Sequence, residues 1–162
     1  MIKLYKRIDG VLHYWETWSS DRKTQTVHWG KVGERGEDEL VEPVKRGFFT
    51  TVRQEIERPE GYLPIALEEH RRLIIEFKVE GFGGQMDLAK RHALEDRMQE
   101  TLGWTGLGLC DGGSIGSGTM EVCCFVVDFE IAKKIIAADL KGTEYEDFLR
   151  IYDEDAELGA NP

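Results

Sequence analysis

Three polar side chains of this sequence have the spacing of a small chemical site. His92, Glu95 and Asp96 stand at positions i, i+3 and i+4 of a predicted helix, which places them on one helix face. An imidazole beside two carboxylates can bind a metal ion or transfer protons. The same spacing is typical of a solvated helix face on which neighbouring charges pair, and that is the arrangement we predict here.

A glycine-rich segment, residues 110–118, is the second candidate for chemistry. Its backbone could cradle a phosphate group, and a ligand loop built there would consist of Asp111, Gly112, Gly113 and Ser114. The segment lacks the G-x-x-x-x-G-K-[ST] pattern of a P-loop, and strand patterns flank it on both sides. We therefore predict that Gly112–Gly118 joins two antiparallel strands, with bulges, and binds no phosphate.

The cysteines predict structural thiols rather than a redox or metal site. Cys123 and Cys124 are adjacent in a strand pattern, so their side chains point to opposite faces, and Cys110 stands apart from them. No serine or cysteine has a recognisable paired base. We therefore predict a protein without a metal or cofactor and without enzymatic activity.

The charge of the chain is unevenly distributed. Its 162 residues carry a net charge of −10. Residues 1–72 hold 13 Lys and Arg against 13 Asp and Glu, whereas residues 73–162 hold 8 against 18. The second half should therefore repel the phosphates of nucleic acids, and it could attract a basic partner. An acidic surface that simply keeps a soluble protein dispersed explains the same charge.

The hydropathy pattern argues against contact with a membrane. No apolar segment approaches the roughly 20 residues that span a bilayer. The sequence starts in an alternating strand pattern, without the basic and then apolar segment of a secretion signal. We expect a soluble cytoplasmic protein.

The first part of the chain predicts strands. Alternation and β-branched residues indicate four of them, with an Asp9-Gly10 hairpin turn after the first. The other three are predicted at Val11–Trp18, Thr24–Val32 and Glu39–Val44. A capping box at Thr51–Gln54 predicts a short helix, and residues 59–70 are the candidate linker.

The second part predicts the order β-α-β-β-α-β, which is the ferredoxin-like pattern. Its first helix should be capped by Asp87 and its second by Asp128, with Gly142 at the C′ position of the second. The predicted strands are Leu73–Val79, Thr105–Cys110, Thr119–Val127 and Tyr145–Tyr152. Residues 103–118 also resemble a segment of uncharacterised bacterial proteins.

The run Trp29-Gly30-Lys31-Val32-Gly33-Glu34-Arg35-Gly36 is the most informative motif. Three glycines at spacings of three indicate a tight turn or close backbone approach, with the tryptophan packed beside it. Residues 1–65 resemble the WGR domain family, whose signature is W-G-R-V-G-x-x-G, often followed by glutamine. Two residues depart from that pattern, because Lys31 replaces the arginine and Glu37 the glutamine.

The resemblance implies an antiparallel sheet with one short helix. In DNA-dependent poly(ADP-ribose) polymerases the motif region helps to hold DNA ends. Here that would make Trp29 a stacking platform, with Lys31 and Arg35 as phosphate contacts. The alternative is a core tryptophan, and we predict a mostly buried ring near the edge of its module.

Together these patterns predict an α+β protein of two modules. The first is WGR-like, residues 1–65, and the second a ferredoxin-like sandwich, residues 71–153, with both helices on one sheet face. The open sheet face should meet the other module, a second copy of the chain or a protein partner. We expect a non-enzymatic binding module of a small bacterial protein. The alternatives are WGR-type nucleic-acid binding and an acidic immunity-like or antitoxin-like protein that binds a basic partner.

Overall fold

The computed structural model describes residues 1–20, 24–41 and 58–159. They form a mixed α+β structure with two four-stranded antiparallel sheets and three helices, as the sequence predicts at this level. The elements are β1 (Ile2–Ile8), β2 (Val11–Ser19), β3 (Gln25–Lys31), β4 (Glu37–Val41), a 3-10 turn (Leu67–Glu69), β5 (Arg71–Lys78), α1 (Gln85–Trp104), β6 (Gly108–Gly116), β7 (Thr119–Val126), α2 (Phe129–Leu140), β8 (Arg150–Asp153) and α3 (Glu154–Gly159). The predicted helix at Thr51–Gln54 lies outside the described residues.

The first sheet has the strand order β1-β2-β3-β4. Its first hairpin turns on Asp9 and Gly10, whose φ angles of 50° and 83° are those of a type I′ turn, so this prediction is confirmed. β4 begins at Glu37, two residues before the predicted start, because Glu37 pairs with Trp29. Residues 42–44 of the predicted strand lie outside the described part.

The predicted linker lies against the first sheet. Tyr5 exchanges two backbone hydrogen bonds with Leu63, at 2.8 and 2.9 Å, on the outer edge of β1. Lys6 Nζ also donates to the carbonyl of Glu60 at 3.0 Å. Part of the segment 59–70 therefore protects an edge that would otherwise expose unpaired backbone groups.

The second sheet has the order β6-β7-β5-β8, with every neighbouring pair antiparallel. Alternate residues of β5 and β7 are fully buried in the same apolar cluster as residues of α1 and α2. Arg97 of α1 binds Asp139 of α2 at 2.7 Å, so the two helices lie side by side. Both helices cover one face of the sheet, as predicted.

Local signals at the helix ends were partly misleading. Asp128 does cap α2, since its carboxylate accepts the N–H of Ile131 at 3.0 Å, and Gly142 follows with φ of 73°. Asp87 is not the N-cap of α1. It lies inside the first turn, where its carboxylate accepts the backbone N–H of Gly84, the capping residue, at 2.7 Å.

Two strand predictions need correction. The strand predicted at Thr105–Cys110 is β6, Gly108–Gly116, because residues 105–107 close α1, with Leu107 N–H bonded to the carbonyl of Leu102 at 3.0 Å. The strand predicted at Tyr145–Tyr152 is only β8, Arg150–Asp153, because residues 141–147 form turns. Thr143 fixes one of these turns by accepting the N–H of Tyr145 at 3.1 Å.

The two sheets share a core through residues 105–107. Tyr5, Tyr14 and Val32 of the first part belong to the same buried cluster as the apolar face of the second sheet. Tyr5 O–H donates to the carbonyl of Gly106 at 3.1 Å, and Gly33 N–H donates to that of Thr105 at 2.8 Å. The end of α1 therefore packs against one face of the first sheet. No helix in the described ranges is long and apolar enough to cross a membrane.

Trp29 lies on the other face of the first sheet. It is partly buried and packs against the cluster of Leu4, Trp15 and Val27. We expect Trp29→Ala to lower the free energy of unfolding by about 2–3 kcal/mol, somewhat less than for a fully buried tryptophan. Thermal melts of the whole chain measure this loss. A variant that melts within a degree or two of wild type would mean that packing of the Trp29 ring does not stabilise the fold.

Candidate functional site

A cavity of about 630 Å³ opens between the first sheet and the end of α1. Its walls come from β1, β2, residues 65–70, the last turns of α1 and the start of β6. The volume falls in the range of sites that hold small organic molecules. We refer to this space as the cavity.

Strand alternation places the polar wall of the cavity. Lys3 and Tyr5 share one face of β1, Glu16 and Trp18 share the same face of β2, and Lys3 pairs directly with Glu16 in the strand register. Lys3 Nζ lies 3.0 Å from Glu16 Oε2. This ion pair is shielded, since the side chains of Lys3 and Glu16 are only 16% and 4% exposed.

Aromatic rings form a second wall. Trp18 and Trp104 meet edge to face, with centroids 6.0 Å apart and ring planes at 87°. The His28 ring contacts Trp104 at a centroid distance of 4.9 Å, and the Arg35 guanidinium lies 4.8 Å from the Trp104 centroid. Trp104 Nε1–H donates to Glu100 Oε2 at 3.0 Å. These contacts fix the orientation of both indoles.

A buried chain of hydrogen bonds stands behind these walls. Glu16 Oε1 lies 2.7 Å from His28 Nδ1, and His28 Nε2 lies 2.9 Å from the Tyr14 hydroxyl. Gly36 N–H donates to the same hydroxyl at 2.8 Å. One arrangement of protons satisfies the whole chain: Tyr14 O–H donates to His28 Nε2, and His28 Nδ1–H donates to Glu16.

The chain has the carboxylate, imidazole and hydroxyl order of a hydrolase triad, but its environment is different. Tyr14 and His28 are fully buried, so the hydroxyl meets no substrate. Burial also raises the pKa of Tyr14 to about 12, and the N–H of Gly36 offsets only part of that effect. The arrangement therefore stiffens the cavity wall and does not expose a nucleophile.

The glycines of the Trp29–Gly36 motif let the backbone approach this chain of hydrogen bonds closely. A Cβ on Gly36 would lie 2.0 Å from the carbonyl oxygen of Trp29, so only glycine allows the approach that brings the Gly36 N–H to Tyr14. Gly33 supplies the turn, with φ of 93°. The sequence predicts a tight turn or a close backbone approach at these glycines, and the structure has both.

The structure does not bring the three predicted nucleic-acid contacts onto one face. Trp29 packs on the side of the first sheet that faces away from α1. Arg35 stacks on Trp104 on the opposite side. Lys31 is exposed, and its Nζ lies 3.7 Å from a carboxylate oxygen of Glu34.

The predicted ligand loop is not a loop. Asp111, Gly112, Gly113 and Ser114 all lie within β6, and a two-residue turn at Ser117 and Gly118 makes the connection to β7. The predicted bulge is present as a register shift between Cys110 and Gly113, which explains how the glycines stay in the strand. Ser114 donates to Glu121 at 3.0 Å, and the Gly113 carbonyl accepts from Arg91 at 3.0 Å. That the segment binds no phosphate stays a prediction.

The helix-face cluster pairs its charges locally. Arg91 Nε lies 3.0 Å from Glu95, and Arg91 Nη2 lies 3.2 Å from His92. In the described part of the chain, no three His, Cys, Asp or Glu side chains are grouped in a way that would hold a metal ion. The cysteines are free, with Cys124 buried and Cys110 and Cys123 partly buried.

The residues of the cavity were not found from the sequence. Lys3 and Glu16 look like ordinary exposed charges in alternating strands, and Trp104 is far from both in the chain. The concentration of aromatic residues in β2 was the one visible signal. Comparisons with protein-family models, with curated proteins and with solved structures gave no match.

Proposed function

We propose that this protein is a non-enzymatic binding module that takes a small organic molecule into the cavity. The observation that carries the proposal is a space of about 630 Å³ whose walls combine two fixed indole rings with polar groups that are already paired. Apolar and aromatic walls with a few oriented polar groups are typical of small-molecule sites. The burial of Tyr14 supports binding over catalysis, because the hydroxyl of the triad-like chain is out of reach.

We also propose finer fold relationships. The order β6-β7-β5-β8, with α1 and α2 on one face, supports a ferredoxin-like arrangement for residues 71–153. The turn at Gly33 and the close approach at Gly36 support a WGR-like module in residues 1–65. On this proposal the first sheet contributes one wall of the cavity and the end of α1 the other.

Nucleic-acid binding and capture of a basic protein stay predictions with weaker support. Lys31 and Arg35 already contact Glu34 and Trp104, so both would have to give up a contact to meet phosphates. Part of the open face of the second sheet is occupied by ion pairs between β5 and α3, such as Arg72 with Asp155 at 2.8 Å. A protein partner, or a second copy of the chain, would dock on what remains of that face.

The binding proposal is tested by the affinity of the protein for a neutral fluorescent probe, N-phenyl-1-naphthylamine. We expect the wild-type protein to bind the probe. The affinity of Gly103→Leu for the probe should be lower by a factor of about ten or more. Gly103 lines the cavity within α1, and an added Cβ would meet nothing within 4 Å, so a side chain can begin there, and we expect leucine to take up part of the cavity. Leucine is also a better helix former than glycine, so the variant should remain folded.

Gly116→Leu is the matched control. It makes the same change in β6, away from the cavity, and an added Cβ there also meets nothing within 4 Å. We expect it to bind the probe like the wild type. Equal affinities for wild type and Gly103→Leu, or no binding by the wild type, would overturn the proposal.

A further inference from the structure

Resting on the proposed function, we propose that the molecule bound in the cavity is an organic cation. Its class is an alkylated or quaternary ammonium group joined to an apolar body. The ammonium would lie against the indole rings of Trp18 and Trp104, near the Glu100 carboxylate, and the apolar body would occupy the remaining space. Four observations on the cavity wall carry this inference, and each concerns a charge or a ring already described.

The first observation is the geometry of the rings. Trp18 and Trp104 stand nearly perpendicular, at 87°, and both line the cavity. Perpendicular aromatic rings form two sides of a cage, and aromatic cages recognise ammonium groups through the negative faces of the rings. Tryptophan is the strongest of the aromatic residues in this role.

The second observation is that one of these rings already holds a cation. The Arg35 guanidinium lies 4.8 Å from the centroid of Trp104. Trp104 is therefore in a setting where contact with a positive charge is favourable. Its indole N–H is directed to the Glu100 carboxylate, which brings a negative charge to the edge of the same ring.

The third observation is the balance of charged side chains in the wall. Lys3 is the only lysine or arginine among the lining residues, all of which are described, and Glu16 neutralises it at 3.0 Å. Glu100 then remains as a carboxylate without a cationic partner among the described residues, since its Oε2 accepts only the indole N–H of Trp104. A bound ammonium would supply the missing charge.

The fourth observation excludes Glu16 as the counter-charge. Its two oxygens are taken by His28 and Lys3, and its side chain is 4% exposed. Glu100, by contrast, is exposed at the cavity. The inference therefore assigns the charge recognition to Glu100 and the ring contacts to Trp18 and Trp104.

The test compares a cation with its uncharged carbon isostere. Benzyltrimethylammonium and neopentylbenzene have nearly the same shape, and each is used to displace N-phenyl-1-naphthylamine from the full-length protein. We expect the cation to bind about tenfold more tightly than the isostere. Glu100→Gln should reduce that preference severalfold, because glutamine still accepts the indole N–H of Trp104 but carries no negative charge.

Glu130→Gln is the control, because it removes the same charge from an exposed position of α2 away from the cavity. We expect it to keep the full preference for the cation. Equal displacement by cation and isostere, or a Glu100→Gln variant with unchanged preference, would overturn the inference while the cavity remains a binding site. If the neutral probe itself does not bind, the proposed function fails and this inference fails with it.

Discussion

Replacement of His28 by leucine is expected to lower the free energy of unfolding by about 3–5 kcal/mol, because it removes the centre of a buried polar chain. Glu16 would keep Lys3 as a partner but lose its hydrogen bond from the imidazole, at 2.7 Å. The Tyr14 hydroxyl would lose its partner at 2.9 Å and keep the Gly36 N–H, with only the longer contacts at 3.3 and 3.4 Å, to the carbonyl oxygens of Glu34 and Trp104, left to accept its proton. Chemical denaturation of the whole chain measures the loss.

His13→Leu is the matched control for this experiment. His13 lies in the neighbouring strand β2 and is only partly buried, and its side chain has no hydrogen bond or ion pair to a described residue. We expect its replacement to change stability by about 0.5 kcal/mol or less. A double-mutant cycle with Tyr14→Phe should show coupling above about 0.5 kcal/mol, because the two side chains share one hydrogen bond. A His28→Leu variant as stable as His13→Leu would contradict the buried chain of hydrogen bonds through His28.

The second large effect is expected at Gly106, where the two parts of the protein meet. An added Cβ would lie 2.1 Å from Cδ1 of Tyr14, and φ at this residue is +64°. The Tyr14 ring cannot move aside easily, since its hydroxyl is held by Gly36 and His28. We expect Gly106→Ala to cost about 3 kcal/mol, from backbone strain and overpacking together.

Gly81→Ala separates these two contributions. Gly81 has a similar φ of +59°, but an added Cβ there meets nothing within 4 Å. This control should cost only about 1–2 kcal/mol, the strain of the left-handed backbone. If Gly106→Ala cost no more than Gly81→Ala, the close packing of residues 105–107 on the first sheet would be wrong.

The features that the sequence predicts well are those encoded within a few residues. The Asp9-Gly10 turn and the caps of α2 at Asp128 and Gly142 depend only on local backbone geometry. The alternation in β5 and β7 identifies the buried face of the second sheet in the same way. These signals do not require knowledge of any distant contact.

The errors arise where pairing overrides local preference. The glycines of residues 112–116 are typical of a loop, but a bulge lets them continue β6 beside β7. Asp87 has the side chain of an N-cap, but Gly84 takes the capping position and Asp87 supports it from within the helix. The start of β6 is displaced because residues 105–107 pack against the first sheet instead.

The cavity could not have been predicted from the chain because it depends on the docking of distant elements. The pairing of Lys3 with Glu16 follows from the hairpin register, but their shielding from solvent depends on the end of α1. Trp18 and Trp104 are separated by most of the sequence and meet only through this docking. Local pattern carries no information on such a contact.

The four tryptophans allow the most direct test of the binding site. Trp18 and Trp104 line the cavity, whereas Trp15 and Trp29 pack on the opposite face of the first sheet. We expect titration with N-phenyl-1-naphthylamine to shift the indole N–H NMR signals of the first two and leave those of the other two in place. Shifts confined to Trp15 and Trp29, or no shift at saturating probe, would contradict the assignment of the cavity as the binding site.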